Sequence, residues 1–261
     1  MADKVDFLIE YIGGLDPLAI DNFAVNNALK LQIATYQRLK TRTLVRHVKG
    51  AGDGDLKATF LRAELTNSVV AEMKKAQSDG KTLGQVLITG FSKGAIYAYK
   101  LATEIKAGVS GASILYVGLG DMPIMPYGYN PPVPNFFSSI PENEPTLLPD
   151  IFFSPPRALN DPQITVTPTF TAGLKKNYFQ GKGNGWGPTR NHPHRSSNAF
   201  FWWSSQMLGK EVHGKIINDD WVNEDLKIDR ELSDIDNHAK GDDEAVKRMG
   251  QDVSDALNRL T

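Results

Sequence analysis

The stretch that decides the fold is Gln85-Val86-Leu87-Ile88-Thr89-Gly90-Phe91-Ser92-Lys93-Gly94-Ala95. Val86-Leu87-Ile88 is a short β-branched and apolar run of the kind that forms a strand buried on both faces. The segment after Gly94 places small or apolar residues at Ala95, Ala98, Ala102 and Ile105, a helical stripe able to lie against a sheet. Between them stands Gly-x-Ser-x-Gly. The pattern has chemical meaning only when a strand runs into it and a helix runs out of it. Ser92 then sits on a tight turn with its hydroxyl exposed, and the flanking glycines avoid collision with the neighbouring strand and helix.

Outward from this stretch, strands and helices alternate, which predicts an α/β fold with a mostly parallel sheet covered by helices. Strands are expected at Asp6 to Ile12, Thr43 to Val48, Gln85 to Phe91 and Ala112 to Leu119, with further candidates at Phe170 to Phe179 and Glu211 to Asn218. Helices are expected over Asn22 to Leu39, over Leu56 to Ala76 (stripe Leu61, Leu65, Val69, Met73) and over Gly94 to Lys106. A closing helix from Asp242 to Leu260 carries Val246, Met249, Val253, Leu257 and Leu260 on one side. Met122 to Pro168 is rich in proline and aromatic residues and has no sustained period, as a lid or binding loop would. At 261 residues one domain over 1–261 suffices, with 122–168 as a cap inserted into it.

Composition narrows the chemistry. Hydrophobic residues make up 41% and the formal net charge is −1, so nothing calls for nucleic acid as a partner. The chain has no cysteine, which excludes disulfides, thiolate metal sites and a cysteine nucleophile. No run approaches the roughly 18 apolar residues needed to span a bilayer, so no transmembrane segment is expected. No signal peptide is expected from the charged N-terminus, so the cytoplasm is the default expectation, with leaderless export left open.

Serine chemistry needs a base and an orienting acid. Catalytic groups gather at the carboxyl ends of parallel strands, in the chain order serine, acid, histidine. Asp121 follows the strand that ends Gly118-Leu119-Gly120 and is the favoured acid; its bland alternative is a turn aspartate capping the next segment. Of five histidines, His47 precedes the serine, and His192 and His194 lie in a Gly/Pro/Asn-rich loop with no second ligand cluster. His238, in a polar stretch expected to be loop before the closing helix, is the preferred base, and His213 is its rival. The backbone N–H of Lys93 is the expected first oxyanion donor, and Gly13-Gly14 is the expected source of the second. Phe91, Met122 and Tyr127 are the candidate substrate-binding residues.

Gly90-Phe91-Ser92-Lys93-Gly94-Ala95 resembles the GFSRGA elbow of α/β-hydrolase phospholipases, including lipase effectors of bacterial type VI secretion. Leu115 to Asp121 is similar to the strand that ends in that family's catalytic aspartate, and Asn177-Tyr178-Phe179-Gln180 to an Asn-Tyr-Tyr-Gln-like strand further along. Lys93 replaces the family's arginine, and the loop after Gly14 lacks the His-Gly-Gly-Gly form of many lipases. The resemblance implies a Ser92-Asp121-His238 triad acting on lipid or other acyl esters, with no metal and no organic cofactor. A lipid substrate would bring the protein into transient contact with a membrane surface. Two other classes compete: a hydrolase fold used only for binding, and a nucleotide-binding α/β protein using Gly50-Ala51-Gly52-Asp53-Gly54, which lacks the third glycine of Gly-x-Gly-x-x-Gly.

Overall fold

A computed structural model of the chain describes residues 4–12, 42–49, 63–91, 93–120, 122, 151–154, 163–166, 168–179, 215–227 and 234–259. They form an α/β fold. Strands β1 (Lys4–Ile12), β2 (Arg42–Lys49), β3 (Thr82–Phe91), β4 (Ser113–Gly120), β7 (Leu174–Phe179) and β9 (Val222–Asp225) build one sheet in the order β2-β1-β3-β4-β7-β9. All neighbouring pairs in it are parallel. A smaller sheet joins β5 (Ile151–Ser154), β6 (Gln163–Val166) and β8 (Lys215–Ile216).

Period-2 alternation splits the strands between two cores. Phe7, Ile9, Tyr11, Val86, Ile88, Val117 and Leu119 face helices α1 (Ala63–Ser78) and α2 (Lys93–Gly108), which bury Val69, Met73, Ala95, Ala98, Ala102 and Ile105 against them. Leu8, Leu87 and Tyr116 face the opposite way, toward Val253 and Leu257 of helix α3 (Asp234–Asn258). Further along, Phe91 and Tyr178 pack on Ala245 and Met249 of the same helix. Lower residue numbers on α3 thus meet positions nearer the strands' carboxyl ends, so α3 runs antiparallel to the sheet and its N-terminal turns reach the carboxyl edge.

Two asparagines stand in for peptide groups, Asn223 between the two sheets and Asn218 beside the small one. Asn223 accepts from the Ile216 N–H and donates to the Ile216 carbonyl, both at 2.8 Å. Asn218 does the same with Val166, accepting at 2.9 Å and donating at 2.7 Å. Each amide presents an N–H and a C=O side by side, which is what a neighbouring strand would supply.

Several expectations change. Lys215–Ile216, expected in the main sheet within Glu211 to Asn218, pairs with β6 in the small sheet instead. The sixth strand of the main sheet is Val222–Asp225, whose polar sequence has no strand signature. The Pro/aromatic segment is not wholly irregular, because β5 and β6 fall within it. The closing helix begins at Asp234, two turns before Asp242, so His238 is helical and not in a loop. The helix expected over Asn22 to Leu39 lies outside the described residues.

Candidate active site

The turn from β3 into α2 is sterically closed. A Cβ on Gly90 would stand 2.1 Å from the Gly94 carbonyl oxygen, and one on Gly94 would stand 2.3 Å from the Tyr11 carbonyl oxygen. Both obstacles are backbone, which cannot swing aside as a side chain can. Strand, turn and helix therefore approach so closely that both glycines of Gly-x-Ser-x-Gly are required. Ser92 itself lies outside the described residues; its covalent neighbours Phe91 and Lys93 end β3 and begin α2.

Strand register aligns the ends of three strands. Tyr11 pairs with Gly90, and Phe91 pairs with Gly120, so β1, β3 and β4 finish at one level. The residues that follow them are Gly13, Ser92 and Asp121. The chain leaving β1 goes to β2 on one side, while the chain leaving β3 goes to β4 on the other. Such a reversal opens a crevice outside the carboxyl ends, where open α/β sheets bind ligands.

Gly13, Gly14, Asp121, Tyr127 and His213 lie outside the described residues. Of the expected substrate-binding residues, Phe91 is 4% exposed and packs with Tyr178, Leu226, Ala245 and Met249. Met122 is 2% exposed within the core on the α2 side. Both are core side chains. His238 stands in α3 seven residues before Ala245, nearly two full helical turns. Its backbone is about 10 Å nearer the helix N-terminus than Ala245, on the side of the carboxyl edge.

Sequence reading missed Glu10. It is 6% exposed near the carboxyl end of β1, level with Thr89 on one side and His47 on the other. Burial raises its pKa from 4.5 to about 8. The signal was present, as the one charge interrupting Phe7 to Ile12.

Also missed was a chain of polar groups beneath α3. Tyr116 and Tyr178 share a hydroxyl hydrogen bond of 2.7 Å, and Tyr178 donates to Asp252. Lys176 bridges Asp252 and Glu224 at 2.7 Å each. Burial works to raise the Glu224 pKa, but its bonds from Lys176 and Arg248 outweigh that and hold it low. Among the described residues no cluster of His, Asp or Glu could hold a metal ion, and no helix is long and apolar enough to cross a membrane.

No protein-family model, curated protein or solved structure matches the chain.

Proposed function

We propose that the protein is a serine hydrolase of the α/β-hydrolase type that cleaves carboxylic esters, with lipid or other acyl esters as its substrates. The observation that carries this reading is the closed β3–α2 turn, in which a Cβ at either glycine would meet backbone at 2.1 or 2.3 Å. A serine on such a turn is presented to the crevice with its hydroxyl free, and the first turn of α2 aims unpaired N–H groups at the same place.

In the proposed mechanism His238 removes the proton from Ser92, whose oxygen attacks the ester carbonyl. The N–H of Lys93 and a donor from Gly13-Gly14 stabilise the oxyanion; losing one such donor typically costs about 2.7–4 kcal/mol of transition-state stabilisation. His238 then protonates the leaving alkoxide, Asp121 holds the imidazole tautomer, and water attacks the acyl-enzyme by the same route in reverse. Strand register supports Asp121, since Gly120 pairs with Phe91, the neighbour of Ser92. The direction of α3 supports His238. Tyr127 and the aromatic residues of 122–168 are the proposed walls of an acyl groove.

Labelling with a fluorophosphonate probe tests the reading directly. Wild type should label, Ser92→Ala should not, and His238→Ala should label far more slowly while His213→Ala keeps most of the rate. Failure of wild type to label, together with no turnover of p-nitrophenyl butyrate or phospholipid vesicles, would sink the hydrolase reading. A dead His213→Ala beside an active His238→Ala would transfer the base to His213.

A further inference from the structure

Arg248 holds four acceptors at once. Its Nε donates to Glu244 at 2.8 Å and its Nη1 to Glu224 at 2.7 Å. Nη1 also reaches the Asp225 carbonyl at 3.1 Å and Nη2 the Leu226 carbonyl at 3.4 Å. Glu244 belongs to α3, whereas Glu224 and Asp225 are the last residues of β9 and Leu226 follows them. One guanidinium thus fastens the point where the chain leaves β9 and the helix into which that chain runs. His238 lies on the stretch between the two fastenings.

We propose that Arg248 is a positioning residue for the catalytic base, setting the tilt of α3 and with it the place of His238 at the carboxyl edge. The inference rests on the serine-hydrolase reading. His238 is ten residues from Arg248, about 15 Å along the axis. A tilt of about 4° over that length displaces it by about 1 Å, enough to cost up to ~100-fold in rate. Asp252, held by Lys176 and Tyr178, is a second fastening one turn further from His238. Ala245, Met249, Val253 and Leu257 seat the helix on the sheet, and the two polar fastenings, a turn apart, set the angle at which it lies. Arginine suits the task because its planar fork serves carboxylates and carbonyls together, which a lysine ammonium cannot do with the same geometry.

The test compares Arg248→Met, Arg248→Lys and Lys175→Met with wild type. Lys175 lies on the α1/α2 side of the sheet and pairs with Asp219 and Asp220, so its loss weakens the fold without touching α3. With p-nitrophenyl butyrate, Arg248→Met should lose about 10- to 100-fold in kcat with little change in KM. Arg248→Lys should recover part of that loss. Lys175→Met should keep wild-type kcat below its melting temperature. The low-field proton resonance of a His–Asp hydrogen bond should weaken in Arg248→Met alone. Wild-type kcat in Arg248→Met overturns the inference, and so does an equal loss in Lys175→Met. Should Arg248→Met fail to fold, Arg248→Lys decides: a kcat several-fold below wild type supports the role, and an unchanged one refutes it. If wild type labels with fluorophosphonate and His238→Ala labels far more slowly, such failures fall on Arg248 alone. If wild type does not label at all, the hydrolase reading fails first.

Discussion

Replacing Glu10 by glutamine removes a charge from the interior of the sheet without changing the side chain's shape, and its effect on stability should depend strongly on pH. The carboxyl titrates near 4.5 when the chain is unfolded and is pushed up to about 8 by burial. Between those values the folded state binds the proton and the unfolded state does not, so stability falls as pH rises. The contribution is fully present below pH 4.5 and is lost through about pH 8. At about 1.36 kcal/mol per unit, the whole span is worth about 5 kcal/mol, of which about 3 kcal/mol is already gone at pH 7. Glutamine carries no charge at any of these values and should show none of this slope. Urea unfolding followed by tryptophan fluorescence between pH 5 and 8.5 measures the difference. Wild type should lose about 4 kcal/mol relative to Glu10→Gln over that range. Parallel stability curves for the two proteins would refute the reasoning. A wild type that gains on the variant with rising pH would mean that Glu10 is ionised beside a cation.

The remaining predictions concern the turn and the polar groups. Gly90→Ala and Gly94→Ala should each cost about 2 kcal/mol or more in equilibrium unfolding, because the obstacles to a Cβ are backbone atoms. Gly108→Ala, whose Cβ would meet nothing closer than the Lys74 ammonium at 3.8 Å, should be neutral within about 0.5 kcal/mol or slightly stabilising. Tyr178→Phe removes the hydroxyl that joins Tyr116 to Asp252 and should cost about 1–3 kcal/mol, read from the urea midpoint at an unchanged m-value. Lys175→Met should destabilise by a similar amount, since it strips Asp219 and Asp220 of their cation and the Phe170 carbonyl of a donor at 2.9 Å.

What the sequence revealed and what it concealed follow from the kind of force acting at each place. Val86 to Phe91 and the stripe Ala95, Ala98, Ala102, Ile105 were legible because burial alone dictates them; those four helix residues are at most 1% exposed. The closed turn was legible for the same reason, since only glycine satisfies a backbone-to-backbone approach. Strand β9 was not. Val-Asn-Glu-Asp is poor in strand formers, and it pairs because Asn223 and Glu224 have partners in Ile216, Lys176 and Arg248, residues set far apart in the chain. Lys175-Lys176-Asn177 in β7 hides its burial for a like reason: Lys175 is 1% exposed only because two aspartates more than forty residues later meet it. The start of α3 misled because Asp236-Asn237-His238-Ala239-Lys240 is polar and reads as loop, yet its backbone is helical. Helix propensity there yields to the anchorage supplied by Arg248 and Asp252 further along. The same anchorage carries the reading of the site. A histidine in a loop could reach Ser92 from many directions, whereas one carried on a helix depends on the tilt of that helix, and so on the residues that hold it.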